Sequence, residues 1–166
     1  MNTIYKRRSI RKFTEKKVSE NLTRELIKAG MSAPSARNQQ PWEFIVIDQQ
    51  DIKQEVSEIH PNFYIIQGAP TAILVCGNLN REKSPDYWVQ DCAATTENIL
   101  LAITANKLGG VWMGVYPRED RVQGLKEYFN LPDKIIPFSL IAFGYPAEEK
   151  PAHSEFDLER IRFNKW

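Results

Sequence analysis

Three arginines and a serine occur within the five residues Arg7-Arg8-Ser9-Ile10-Arg11, near the start of the chain. Guanidinium groups bind phosphate oxygens through paired hydrogen bonds, and a nearby hydroxyl supplies a further donor. Positive charge is concentrated here, because residues 1–17 contain seven basic residues and one acidic residue, whereas the whole chain has a net charge of +1. The segment therefore predicts an anion-binding site, with a solvated basic surface helix as the alternative.

A polar segment follows one helix later, with the sequence Ala33-Pro34-Ser35-Ala36-Arg37-Asn38-Gln39-Gln40-Pro41-Trp42. Its amide and hydroxyl groups lie between two prolines and just before an apolar strand, which is typical of a rigidly placed binding loop. Serine and asparagine also favour turns through their own hydrogen bonds, so ordinary turn chemistry is the alternative. An anion site combined with a loop able to bind a flat polar ring predicts a phosphorylated cofactor.

Other chemistries fit the sequence less well. His60 and His153 are far apart and have no cysteine or carboxylate at ligand spacing, so no metal site is predicted. The serine hydrolase and P-loop motifs are absent from the sequence. The glycines of segment 109–114 follow a helix and enter a strand, the reverse of the dinucleotide-binding order. Without an evident nucleophile, base or metal, we expect no catalytic side chain and a cofactor that carries the reaction.

The N-terminal arginines need a backbone that brings them together. A short helix is predicted up to about residue 8, followed by an extended stretch over 9–13. In an extended stretch Arg7, Ser9 and Arg11 share one face, whereas in a continuous helix Arg7 and Arg11 lie one turn apart. Either geometry lets these two arginines converge.

The rest of the chain alternates helices with apolar strands, which predicts an α+β or α/β fold. The expected helices are 19–30, 51–59, 87–108 and 117–129, the expected strands are 42–47, 70–76, 111–116 and 135–144, and 60–64 is expected to be a loop. The helix over 87–108 is apolar on more than one face, so its second face is expected to contact another subunit. Residues 145–166 carry dispersed large apolar side chains without a core of their own and are expected to pack on a partner chain.

Length and composition indicate a single globular domain over residues 1–166, because 42% apolar residues suffice for one core. Cys76 and Cys92 lie in apolar segments and form no C-x-x-C pair, which indicates reduced core thiols and a cytoplasmic protein. No apolar stretch reaches the roughly 20 residues of a membrane helix, so no membrane association is expected.

Four motifs, in order, resemble the small single-domain members of the nitroreductase family of FMN-dependent oxidoreductases. The first two are the segments 7–13 and 33–42, the third is Leu108-Gly109-Gly110-Val111-Trp112-Met113-Gly114, and the fourth joins Phe143-Gly144-Tyr145-Pro146 with Phe156-Asp157 and Lys165-Trp166. The resemblance implies an α+β fold with a central, mostly antiparallel sheet flanked by helices. It also implies an intertwined homodimer with two FMN sites between the subunits.

The resemblance further implies a role for each motif residue. Arg7, Arg8 and Ser9 hold the phosphate and ribityl chain, and Arg11 lies near the pyrimidine edge of the flavin. A cation there stabilises the negative charge of the reduced flavin. Met113 and Gly114 lie near the N5 atom of the flavin. A loop of the partner subunit reaches the same flavin through Pro34, Ser35, Ala36 and Asn38. Gln40 helps to order that loop.

One position departs from the family pattern. A basic residue usually precedes the phenylalanine of the fourth motif, whereas this chain has Glu155 there. Either Lys150 or another residue supplies that phosphate contact, or the cofactor is held less tightly.

The activity implied by the resemblance is hydride transfer from NADH or NADPH to FMN, and from there to a nitroaromatic, quinone or similar acceptor by a ping-pong mechanism. A flavin protein of the same fold with other flavin chemistry, or with a non-catalytic binding role, is the alternative. A small nucleic-acid binder with a basic N-terminus is also considered, but the nearly neutral net charge counts against it.

Overall fold

A four-stranded antiparallel sheet lies at the centre of the protein, with the spatial strand order β1-β2-β4-β3. The structure is a computed structural model and describes residues 2–153 and 155–166. The strands are β1 (Trp42–Ile47), β2 (Thr71–Asn78), β3 (Gly109–Gly114) and β4 (Ile135–Gly144). Because β2 and β4 are the inner strands, β3 has one edge that no other strand of the sheet covers.

Helices cover both faces of the sheet. They are α1 (Asn2–Lys6), α2 (Glu20–Met31), α3 (Gln50–Ile59), α4 (Trp88–Ala105) and α5 (Glu119–Tyr128). Alternate residues of β2 serve two cores: Leu74 packs in a cluster with α3 and α5, and Ile73 packs in a cluster with α2 and α4. Burial of β2 on both faces explains its continuous apolar sequence, and the predicted α+β class is confirmed.

Most element boundaries agree with the sequence predictions to within a few residues. Ser19 caps α2 as expected, because its Oγ accepts a hydrogen bond from the Leu22 amide at 3.3 Å. The predicted loop at 60–64 is wrong, because the 3-10 helix Pro61–Gly68 begins there. The long helix α4 ends at Ala105, three residues before its predicted end.

The N-terminal segment is extended after α1 and runs beside β3. Ser9 forms a parallel bridge with Gly110, and the Ile10 amide donates to the Gly110 carbonyl at 3.0 Å. Of the two geometries considered for the arginines, the extended one is therefore present. Consecutive side chains from Arg7 to Arg11 consequently point to alternate sides.

Replacing Gly109 with alanine is expected to destabilise the fold by about 1–3 kcal/mol, because a Cβ added there would lie 2.7 Å from the Cβ of Ile10. Movement of Ile10 would also displace Arg11 beside it. Urea unfolding of the Gly109→Ala variant measures the loss. Gly68→Ala is the control, since a Cβ at Gly68 meets no atom within 4 Å. Equal stability of the two variants would contradict the predicted clash.

Both cysteines are buried in the core. Burial raises the pKa of the Cys76 thiol to about 12, and burial likewise raises the pKa of Cys92. Both are therefore protonated and unreactive at neutral pH. Across the described part of the chain, no helix combines the length and apolarity needed to cross a membrane.

Candidate functional site

The open edge of β3 presents backbone groups that the sheet does not use. The Gly110 carbonyl faces away from β4, because it accepts from the Ile10 amide, and the Val115 amide just after β3 donates to the Phe138 carbonyl at 3.2 Å. Odd-numbered residues of β3 therefore pair with β4. Hydrogen-bonding directions alternate along an antiparallel strand, and the amides of Trp112 and Gly114 therefore point away from β4. Beyond the contact with Ile10, these two amides are donors available at the edge.

A cavity of about 290 Å³ lies against this edge. It brings together Arg11, Met113 and Gly114, three of the residues that the family resemblance places around a flavin ring. The remaining lining residues were not predicted from the sequence: Asn62, Tyr64, Ile65, Val111, Trp112 and Arg121. Asn62 and Tyr64 lie on the 3-10 helix in place of the loop predicted over 60–64, and the residues of this helix follow no regular apolar period.

The cavity contains two guanidinium groups, those of Arg11 and Arg121. Within residues 2–153 and 155–166, no carboxylate oxygen lies within 4.0 Å of the Arg11 or Arg121 guanidinium. Glu148 is nearby, but it accepts hydrogen bonds from the backbone amides of Arg11 and Lys12, at 2.6 and 3.3 Å. The hydrogen bond from Arg11 lowers the pKa of Glu148. The cavity therefore favours a ligand that carries or acquires negative charge.

Arg7 faces a second cavity, of about 720 Å³, which Glu97, His153 and Glu155 also line. Its Nε atom lies 3.5 Å from the Glu97 carboxylate, and both side chains are partly exposed. Burial raises the pKa of Glu97, and the nearby charge of Arg7 opposes that rise. Glu155, the residue that departs from the family pattern, thus lies in the same cavity as Arg7.

Arg8 points to the other side of the N-terminal segment. It lines a separate cavity of about 290 Å³ with Lys6 and Lys150, and it donates a hydrogen bond to the Pro151 carbonyl. Lys150 donates to the Ser9 carbonyl at 2.7 Å and lies 3.6 Å from Glu148. The structure therefore separates Arg8 and Lys150 from the cavity that contains Arg7.

The loop over 33–41 has an unusual backbone. Arg37, Asn38 and Gln40 have positive φ angles of 50°, 51° and 45°, a region that non-glycine residues rarely adopt. Ser35 Oγ accepts a hydrogen bond from the Gln40 amide at 3.0 Å, which ties the two ends of this turn together. Such a backbone persists only where surrounding contacts hold it.

Asp91, on α4, is the residue that holds the loop. Its buried carboxylate accepts hydrogen bonds from the Ala36 amide at 2.9 Å and from Gln39 Nε2 at 2.6 Å. The Oε1 atom of the Gln39 side chain accepts in turn from the backbone amides of Lys83 and Ser84, at 2.8 and 3.0 Å. The ordering contacts of the loop thus come from Asp91 and Gln39, neither of which was predicted. Gln40, the expected ordering residue, contributes its backbone amide.

Within the single chain, the loop and the arginines do not form one pocket. Neither the Arg7 cavity nor the Arg11 cavity is lined by the loop residues predicted to contact the cofactor, which are Pro34, Ser35, Ala36 and Asn38. Ser9 contributes backbone pairing with Gly110.

Comparisons with known proteins agree on one family. The sequence model of the Nitroreductase family matches residues 4–60 and 57–145. A relative from Methanothermobacter thermautotrophicus, provisionally named NADH dehydrogenase/NAD(P)H nitroreductase, is 44% identical over 166 residues, which are 100% of this chain and 87% of the relative.

Two solved structures show the same fold. One, provisionally named an NADH oxidase, from Clostridium acetobutylicum, has a TM-score of 0.96 and 42% identity over 99% of each chain. A provisionally assigned nitroreductase from Desulfovibrio desulfuricans, crystallised in complex with FMN, has a TM-score of 0.84 and 28% identity, covering 99% of this chain and 95% of that one. With motifs, fold and matched length in agreement, the chain belongs to the nitroreductase family.

Proposed function

We propose that the protein is an FMN-dependent NAD(P)H oxidoreductase that passes electrons to a nitroaromatic, quinone or similar small acceptor. The observation that carries this proposal is the cavity at the open edge of β3. There Arg11, Met113 and Gly114, which the family resemblance places around a flavin, line one space with Arg121. No described carboxylate lies within 4.0 Å of either guanidinium group. The similarity to an FMN-bound nitroreductase supports the choice of cofactor.

The donors in this cavity fit a flavin ring. A flavin presents acceptor atoms along its polar edge, and the cavity offers the Gly114 amide, the Asn62 side chain and the Arg11 guanidinium. Arg11 would hold the pyrimidine end and balance the negative charge of the reduced state, while the Gly114 amide would face N5. When bound, FMN supplies two-electron hydride chemistry that no side chain here can perform. The side chains bind, orient and supply charge.

The phosphate end of the cofactor is assigned to Arg7. Its cavity is open enough for the ribityl phosphate, and a guanidinium provides charge-assisted hydrogen bonds to phosphate oxygens. Glu97 now pairs with Arg7, so a phosphate would compete with that carboxylate. Glu155 adds a second negative charge to the same cavity, which argues for weaker cofactor binding than a basic residue there would give.

We propose that the working unit is a homodimer. The C-terminal segment exposes large apolar side chains, including Phe156 at 75%, Phe163 at 84% and Trp166 at 101% of full exposure. Apolar surface of this extent is normally covered by another protein. In such a dimer the loop over 34–38 would complete the partner's flavin site, as the family resemblance implies.

A single cavity is proposed to serve the nicotinamide donor and the acceptor in turn, which gives ping-pong kinetics. Catalysis then depends on orienting each substrate against the flavin, and the protein needs no acid or base of its own. Small, flat acceptors fit this requirement better than bulky ones.

Spectroscopy of the purified protein tests this proposal. We expect a yellow protein, or one that becomes yellow with added FMN, that is bleached anaerobically by NADH or NADPH and recoloured by a nitroaromatic or a quinone. Parallel double-reciprocal plots would support the ping-pong order. A colourless protein that binds no FMN at micromolar concentration would exclude the proposal. Light scattering gives the mass, and an FMN-bound monomer would contradict only the dimer.

A further inference from the structure

Arg121 lines the same cavity as Arg11. It sits in the first turn of α5, and its Nη1 atom donates to the Gly114 carbonyl at 2.6 Å. The neighbouring Asp120 is turned toward His60, with 3.7 Å between its carboxylate and His60 Nε2. Neither the family resemblance nor the comparisons give Arg121 a role.

The contact with Gly114 determines which backbone group the cavity presents. A carbonyl oxygen is an acceptor, as is N5 of an oxidised flavin, whereas a backbone amide can donate a hydrogen bond to N5. The Arg121 guanidinium covers the Gly114 carbonyl and leaves the Gly114 amide as the group available at this edge. It thereby fixes the strand end at the position expected for hydride transfer.

The charge of Arg121 adds a second effect. No carboxylate of the described residues forms an ion pair with the Arg121 guanidinium. Its Nε atom is buried and has no hydrogen-bond partner among those residues. Keeping an unpaired cation in a cavity with Arg11 costs free energy, and negative charge acquired by a ligand in that cavity offsets this cost.

We propose that Arg121 is a positioning residue that holds Gly114 and raises the reduction potential of the bound flavin. The proposal rests on the proposed function, because it requires FMN in this cavity. Two cations in one cavity would stabilise the reduced state of the flavin more than Arg11 alone.

Reduction potentials of the FMN-loaded protein test the proposal, measured by equilibration with reference dyes. Arg121→Gln should shift the two-electron reduction equilibrium at least tenfold toward the oxidised state, a lowering of about 30 mV. Arg121→Lys keeps the charge and should shift this equilibrium less than threefold. Arg118→Gln is the matched control, since Arg118 is exposed near the start of α5 and does not line the cavity. Its potential should equal that of the parent.

An unchanged potential in Arg121→Gln would overturn the inference, as would equal shifts in the Arg121 and Arg118 variants. Should the glutamine variant fail to fold, the lysine variant decides: a tenfold or larger shift despite the retained charge would also overturn it. Failure of the parent to bind FMN contradicts the proposed function instead, so the two failures are distinguishable.

Discussion

Replacing Asp91 with alanine is expected to lower the free energy of unfolding by about 2–4 kcal/mol and to abolish FMN binding. Asp91 is only 4% exposed, and its carboxylate satisfies two buried donors, the Ala36 amide and the Gln39 side chain. Without it, both donors lose their partner in a place that water reaches poorly. A loss of this size corresponds to a melting temperature roughly 5–15 °C lower.

The effect on FMN binding follows from the loop backbone. Arg37 and Asn38 adopt positive φ angles that cost free energy at non-glycine residues, and the anchored segment compensates for that cost. Once Asp91 is removed, the loop can relax to ordinary backbone angles. The groups proposed to reach a flavin in the partner subunit then lose their fixed positions.

Asparagine at position 91 is also expected to destabilise the loop, although its shape matches aspartate. One of its two polar atoms is a donor and would face either the Ala36 amide or the Gln39 amide, which are donors themselves. Gln39 cannot turn over to correct this, because its oxygen already accepts from Lys83 and Ser84. Asp91→Asn should therefore lose about half as much stability as Asp91→Ala.

Chemical unfolding of the FMN-free variants separates the effect on stability from that on binding. Gln90→Ala is the matched control, because Gln90 is exposed and precedes Asp91 on the same helix. That variant should remain within about 0.5 kcal/mol of the parent and retain FMN. If Asp91→Ala were as stable as Gln90→Ala, the proposed anchoring of the loop would be wrong.

The elements of the fold were predictable because local patterns specify them. The apolar strands, the Ser19 cap and the ends of most helices follow from periodicity and capping chemistry. The 3-10 helix over 61–68 was missed because its apolar residues follow neither the helical nor the strand period. Its Asn62 and Tyr64 were therefore absent from the predicted site.

The contacts that order the site could not be read from local sequence. Asp91 lies 55 residues from Ala36 and 52 from Gln39, so only the packed fold reveals their hydrogen bonds. Gln39 and Gln40 are adjacent and chemically identical, and composition cannot show which of them is buried. In the structure Gln39 is the buried one, at 3% exposure, and its side chain contacts Asp91. Gln40, the next residue, has a positive φ angle.

Replacing Arg7 with alanine is expected to weaken FMN binding about 10–100-fold, whereas replacing Arg8 should change it less than threefold. A charge-assisted hydrogen bond contributes about 1.5–3 kcal/mol, which gives the expected loss if Arg7 contacts the phosphate directly. The sequence resemblance implied that both arginines hold the phosphate. In the structure the two side chains line different cavities, and only that of Arg7 contains Glu97 and Glu155.

The Arg8 variant is a stringent control, since both substitutions remove one positive charge from neighbouring positions. Long-range attraction for an anionic cofactor would be reduced by a similar amount in each. Fluorescence titration of the FMN-free variants with FMN measures the two dissociation constants. Equal weakening would show that the arginines act only through their field, and the assignment of Arg7 to the phosphate would be abandoned.

Replacing Glu97 with glutamine is expected to change FMN affinity in the opposite direction to Arg7→Ala. The Glu97 carboxylate lies 3.5 Å from Arg7 and competes with a phosphate for that guanidinium, so a neutral amide should tighten FMN binding. Glu155→Arg should tighten it further, because it replaces a repulsive charge with the basic residue that the family usually has. Tighter binding in both variants, together with weaker binding in Arg7→Ala, locates the phosphate in the Arg7 cavity. Weaker binding in Glu97→Gln would instead mean that this carboxylate orients Arg7 for the phosphate, and the competition would be excluded.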